Sequence, residues 1–146
     1  MTLQKTFNAK TVIITGHTGF KGAWLTAWLK QLGAKVVGIA LDPPTEPSHF
    51  VATQLADGMV DLRIDIRNQV ALEEAIVSAQ PDFVFHLAAQ ALVRQSYDDP
   101  VATYMTNAIG TLNLLEALRP LDKRCNVVLI TSDKCYDNVE WVWGYR

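Results

Sequence analysis

The segment Thr11-Val-Ile-Ile-Thr-Gly-His-Thr-Gly-Phe-Lys-Gly22 runs from an apolar strand pattern through three glycines into a helical pattern. Val12, Ile13 and Ile14 are β-branched and apolar on both sides, as a central parallel strand requires. Ala23, Trp24, Leu25, Ala27, Trp28, Leu29 and Leu32 then recur at helical spacing. The glycines therefore occupy a strand-to-helix turn, where the free N–H groups and positive dipole end of a helix suit a pyrophosphate. Gly16 permits the tight bend, Gly19 lets backbone approach phosphate, and Gly22 lets helix pack on strand, with Thr18 and Phe20 completing the turn.

A second strand pattern covers residues 35–40, and Asp42 follows it, 20 residues beyond Gly22. At about that offset an acid reaches the ribose hydroxyls of an adenosine. Asp42 also reads as a turn residue before Pro43-Pro44, but beside the glycine turn the dinucleotide reading is favoured. His17 and Lys21 are cations able to hold a phosphate, including the 2′-phosphate of NADP. Asp42 repels that phosphate, so NAD is the expected cofactor.

The 146 residues, 49% of them hydrophobic, suffice for one packed domain and not for two ordinary ones. A net charge of −2 with no basic stripe argues against nucleic acid or an anionic membrane surface as a partner. Cys125 and Cys135 lack metal-ligand spacing with any histidine and read as reduced thiols. No apolar run approaches the ~20 residues of a membrane span, and residues 1–10 lack a signal core, so a cytoplasmic protein is expected.

Residues 41–48 form a proline-rich loop, placed on the cofactor rim. Val60, Leu62 and Ile64 alternate as a third strand ending in Asp65-Ile66-Arg67, and a helix pattern follows over 70–79. A fourth strand at 83–86 leads into the small-residue loop Leu87-Ala88-Ala89. A long helix over 101–118 is expected to turn Met105, Ala108, Leu112, Leu115 and Leu118 inward, and residues 127–130 form a fifth strand ending in Thr131-Ser132-Asp133-Lys134. This alternation specifies an α/β doubly wound parallel sheet in the order 3-2-1-4-5, with ligands above the strand carboxyl ends. The glycine turn, Asp42, Asp65, Leu87 to Ala89 and Thr131-Ser132 all fall at those ends. Residues 127–130 are apolar on both faces with no sixth strand behind them, and Trp141, Trp143 and Tyr145 alternate near the terminus. The expectation is a sheet incomplete after its fifth strand, in the N-terminal part of a longer protein. Trp24 and Trp28, four apart, are expected to pack in the core, as is Tyr97. His86 reads as a satisfied core histidine and Asn107 as a residue holding backbone near the site.

Residues 15–22 resemble the Gly-x-x-Gly-x-x-Gly turn of the extended short-chain dehydrogenase/reductases. Asp65-Ile66-Arg67 resembles their adenine-contacting segment, and His86-Leu87-Ala88-Ala89 their loop beside the nicotinamide ribose. More narrowly, residues 16–25, 41–44, 86–97, 131–138 and 141–146 are similar to the CDP-glucose 4,6-dehydratase family. The resemblance implies a Rossmann-type NAD-binding domain over residues 1–146 and an internal redox dehydration. A hydride leaves sugar carbon 4, water leaves across carbons 5 and 6, and the hydride returns to carbon 6, giving CDP-4-keto-6-deoxyglucose. It also implies a homo-oligomer for the full-length protein.

By the same resemblance, Thr131 stands with the cofactor loops, Ser132 hydrogen-bonds the oxygen at carbon 4, Asp133 protonates the carbon 6 hydroxyl, and Lys134 takes the place of a base. Those roles require a protonated Asp133 and a partly neutral Lys134. Spacing alone equally allows Ser132-Asp133 as a helix cap with a solvated Lys134. Gln90 is a substrate candidate. The Tyr-x-x-x-Lys pair of the superfamily does not occur, so this chain alone is expected not to turn over. A related nucleotide-sugar epimerase or dehydratase, a non-catalytic dinucleotide module and a redox-sensing domain remain alternatives.

Overall fold

The computed structural model describes residues 2–144. Tyr145 and the side chain of Lys134 lie outside the described residues. Five parallel strands, β1 (Thr11–Thr15), β2 (Lys35–Ala40), β3 (Val60–Arg63), β4 (Phe83–His86) and β5 (Asn126–Leu129), form one sheet in the order β3-β2-β1-β4-β5. Helix α1 (Leu3–Phe7) precedes β1, and α2 (Phe20–Gln31), α3 (His49–Ala52), α4 (Gln69–Ala79), α5 (Val93–Asp98), α6 (Pro100–Tyr104) and α7 (Gly110–Leu118) lie along the chain between the strands. Among the described residues no helix is long and apolar enough to cross a membrane.

The two-sided strand pattern has a direct cause in the packing. Alternate residues of β1 point to opposite faces, so Ile13 joins Val84, Leu72, Ile76 and Leu114 beneath α4 and α7. Val12 and Ile14 join Leu29 and Val36 beneath α2. Full burial of each such side chain contributes about 1.5–3 kcal/mol. Phe7 of α1 closes the second layer against Phe83, at a ring-centroid distance of 5.0 Å.

Helix phase is where the sequence pattern misleads. Facing the sheet, α2 buries Gly22, Ala23, Thr26 and Leu29, whereas Trp24 is 56% and Trp28 51% exposed. Their spacing of four places both on one helix face, and that face is the outer one, because small residues are needed where helix meets strand. Trp24 instead stacks on His49 at 4.5 Å. Tyr97 likewise does not pack, being 82% exposed. The expected long helix is interrupted by a π-helical turn, Met105–Ile109. Behind it α7 buries Gly110, Asn113, Leu114 and Ala117, while Met105, Leu112 and Leu115 face outward. A π turn adds a residue to the helix and so shifts the face that its successor presents. On the far side of the sheet β5 is an edge strand whose four residues are all exposed.

Candidate functional site

At the carboxyl ends of β1, β2 and β4 lies a groove of about 270 Å³, with Gly16, Gly19, Asp42, Asp65, Ala88 and Ala89 among its lining. A more open depression of about 540 Å³ covers the proline loop, lined by Pro43, Pro47 and Val51. It adjoins the groove at Pro44, and no residue of the glycine turn or of a strand lines it.

The glycine turn is built by close approach. Gly16 has a φ of +76°, and a Cβ there would stand 2.8 Å from the Ala88 nitrogen. A Cβ at Gly22 would lie 2.1 Å from the Gly16 carbonyl oxygen. Gly19 is the N-cap of α2 and offers no capping side chain, which leaves the first-turn N–H groups open to a ligand. A Cβ on Gly19 would meet only the Gly16 carbonyl oxygen, at 3.4 Å, within 4 Å. Space for phosphate oxygens is thus present in front of the helix, so the groove fits a pyrophosphate. Thr18 is buried and its hydroxyl donates to the Leu41 carbonyl at 3.0 Å, fastening the turn to the end of β2. Phe20 and Lys21 are exposed on the first turn of α2.

His17 departs from the expectation of a phosphate-holding cation. Its ring is fully buried, above Gly38, where a Cβ would come within 2.5 Å of it. Its Nε2 donates to Asp61 at 2.8 Å. Desolvation dominates and lowers its pKa despite the opposing hydrogen bond from Asp61, so the ring is neutral near pH 7. The ring packs on Gly38 of β2, where a side chain would collide with it, and does not line the groove.

Asp42, 91% exposed in its side chain, projects at the end of β2 and pairs with Arg63 at 3.4 Å. Asp65 lies at the groove wall, where it accepts from the Arg67 backbone N–H at 2.9 Å and from the Arg67 guanidinium. Those bonds hold its carboxyl below the ordinary carboxylate value. Ile66 contributes backbone to the groove while its side chain is buried in the core. Sequence reasoning missed the residue that fixes this segment. Asn113, buried on α7, donates to the carbonyls of Ile66 and Arg67 at 3.0 and 3.2 Å. Its signal was an amide beside Leu112 and Leu114 in an otherwise apolar turn.

Thr15 was also missed, and it organises the opposite wall. Its hydroxyl oxygen accepts from the N–H groups of Leu87 and Ala88 at 3.2 and 3.1 Å. Its one proton therefore goes to His86 Nδ1, 2.7 Å away. His86 Nε2 then carries the ring proton and donates to Thr111 Oγ1 at 3.0 Å, and the Thr111 hydroxyl donates to the Asn107 carbonyl at 2.7 Å. Burial lowers the His86 pKa to about 4, which keeps this relay intact at neutral pH. His86 is thus the satisfied core histidine that the sequence suggested.

Asn107 sits in the π turn and exchanges hydrogen bonds with the backbone of Gln90, at 2.8 and 2.9 Å. The Gln90 side chain itself is engaged in its own loop, donating to Thr103 and Leu92 and accepting from the Leu92 N–H. It shapes the loop beside the groove.

Thr131, Ser132 and Asp133 leave β5 next to β4, since the Ile130 N–H donates to the His86 carbonyl at 3.0 Å. They are exposed and start the 3-10 turn Asp133–Cys135. The Ser132 hydroxyl donates to Asp133 at 3.3 Å. The burial that would keep Asp133 protonated is therefore not supplied by the described residues.

Residues 13–142 match the family model described as GDP-mannose 4,6 dehydratase. The chain belongs to that family. Within it, a CDP-glucose 4,6-dehydratase of Salmonella typhimurium is 53% identical over 96% of this chain, and the chain spans 39% of that relative's length. Among solved structures, the UDP-glucose 4-epimerase of Thermus thermophilus in complex with NAD is 33% identical, with a TM-score of 0.64 over 75% of this chain and 33% of that one. The UDP-glucose 4-epimerase of Brucella ovis in complex with NAD is 30% identical, with a TM-score of 0.70 over 83% of this chain and 35% of that one. The chain is thus similar both to a dehydratase and to epimerases of sugar nucleotides.

Proposed function

We propose that the groove binds NAD and that this chain is the cofactor-holding part of a CDP-glucose 4,6-dehydratase. The observation that carries the substrate is the 53% identity over nearly the whole chain to a CDP-glucose 4,6-dehydratase. The cofactor reading is supported by the cradle at Gly16, Gly19 and Gly22 and by two similar structures that hold NAD.

In this reading NAD, held by the glycine turn and the loops at the strand ends, would supply reversible hydride transfer between sugar carbons 4 and 6. The amides of Phe20, Lys21 and Gly22 receive the pyrophosphate, which the backbone at Gly19 lets approach, and Asp42 receives the adenosine ribose hydroxyls. Asp65 and the Ile66 backbone border the adenine. Leu87, Ala88, Ala89 and Thr131 border the nicotinamide ribose, their loop positioned by Thr15. Ser132 holds the oxygen at carbon 4, Asp133 gives a proton to the departing hydroxyl, and Lys134 takes the proton at carbon 5. For Asp133 to be protonated the bound sugar must bury it.

Incubating the whole protein that carries this chain with CDP-glucose tests the proposal. A 4-keto-6-deoxy product, formed with loss of water and no net consumption of NAD, supports it, and Lys134→Ala should abolish turnover while NAD remains bound. An epimerised sugar nucleotide that retains its water would overturn the dehydratase reading in favour of an epimerase.

A further inference from the structure

Behind the groove, and outside its lining, a chain of hydrogen bonds runs from β1 through β4 to α7 in a single allowed direction. The Thr15 hydroxyl oxygen accepts from the Leu87 and Ala88 N–H groups, which fills both of its lone pairs. The Leu87 N–H has a second acceptor in the Thr15 carbonyl at 3.1 Å, whereas among the described residues the Ala88 N–H relies on the hydroxyl alone. The Ala88 backbone in turn lies against Gly16, where a Cβ would stand 2.8 Å from the Ala88 nitrogen. The hydroxyl thus sets how closely two walls of the groove approach each other.

That oxygen can hold Ala88 only while its own proton is directed elsewhere. The proton goes to His86 Nδ1 at 2.7 Å, which must therefore be bare. Burial keeps the ring neutral, so its proton sits on Nε2. Nε2 donates to the Thr111 hydroxyl at 3.0 Å, and Thr111 aims its own proton at the Asn107 carbonyl, 2.7 Å away. Thr111 is what favours this tautomer. Without an acceptor at Nε2 the ring gains by carrying its proton on Nδ1, and it then presents a donor to Thr15. The Thr15 oxygen would face three donors with two lone pairs, and Ala88 would lose its only support. We infer that Thr111 and His86 are positioning residues for the cofactor: on the NAD reading of the groove, Thr111 fixes the imidazole tautomer and so holds the Ala88 wall against Gly16 from behind the site. Neither residue lines the groove.

The test is a double-mutant cycle in the whole protein that carries this chain, with NAD binding read by calorimetry. Thr111→Val keeps the shape and removes the acceptor. It should weaken NAD by about tenfold, the scale of one lost buried hydrogen bond, and should speed hydrogen exchange at the Ala88 amide in protein without NAD. Thr111→Ser should restore both. His86→Asn puts an amide oxygen where Nδ1 stood, so it should bind NAD within about threefold of wild type, and adding Thr111→Val to it should change nothing further. His86→Gln reaches toward Thr111 but leaves Thr15 without its acceptor, and should weaken NAD by about tenfold. A Thr111→Val protein that binds NAD as wild type does, or a Thr111→Val effect that persists undiminished in His86→Asn, would overturn the inference. Wild-type protein that does not bind NAD would instead refute the NAD reading, while exchange at Ala88 would still report on the tautomer, so the two failures are distinct. Should Thr111→Val fold poorly, the order of NAD affinities at position 86 decides: Asn above Gln supports the inference, and Gln equal to or above Asn overturns it.

Discussion

Acidification isolates the relay through His86, because its burial ties stability to a single proton. His86 is 4% exposed, and its pKa falls from the ordinary 6.5 to about 4. The unfolded chain therefore binds a proton on this ring at a pH where the folded chain does not. Stability is full above pH 6.5 and is lost progressively as pH falls toward 4. With each pKa unit equivalent to about 1.4 kcal/mol, the loss over that window is about 3 kcal/mol. Protonating Nδ1 also removes the acceptor for the Thr15 hydroxyl, and so disturbs the oxygen that holds the Leu87 and Ala88 amides. His17 shifts the same way, and the lowered pKa values of Asp65 and Asp82 contribute only below about pH 4. Urea unfolding of wild type and His86→Gln between pH 7.5 and 4 separates these contributions, because only the difference between the two proteins belongs to His86. That difference should shrink by about 3 kcal/mol over the window. A difference independent of pH, or one that widens on acidification, would refute the assignment of a buried neutral ring.

Three further outcomes follow from the site's construction. Gly22→Ala places a methyl 2.1 Å from a backbone oxygen, so the turn must shift; stability should drop by about 1–3 kcal/mol in chemical denaturation, with NAD binding falling at least as far. Thr15→Val leaves the Ala88 amide without its acceptor and His86 Nδ1 without its donor, while the Leu87 amide keeps the Thr15 carbonyl; it should cost about 1–3 kcal/mol, whereas Thr15→Ser should stay within about 1 kcal/mol of wild type in the same measurement. Asn113→Leu should accelerate amide hydrogen exchange in residues 65–68 while leaving β1 protected, since the lost bonds anchor that segment alone.

The sheet was legible because β-branched runs with both faces apolar have few other uses in a chain with glycine punctuation. Strand order 3-2-1-4-5 and the glycine turn followed from that pattern and were met in the structure. Helix phase was less legible. Trp24 with Trp28, and Leu112 with Leu115, are spaced like core residues, yet the sheet needs the small Ala23 and Ala117 at the contact. Equally invisible were partners brought together only by the fold. Arg63 meets Asp42 because β3 lies beside β2, and Thr15 meets His86 because β1 pairs with β4 in register. His17 was read as a cation beside phosphate because its neighbours in sequence are there; the cavity over Gly38, which takes the ring out of the groove, belongs to another strand.

The central claim is that the strand-end groove, and not the larger depression over the proline loop, receives NAD. Titrating NAD into isotope-labelled protein and following backbone amide shifts tests it most directly. The account predicts that the largest shifts fall on Gly16, Gly19, Phe20, Lys21, Gly22 and Ala88, with smaller ones at Asp42 and Asp65. Shifts confined to residues 45–52, or none at saturating NAD, would contradict it.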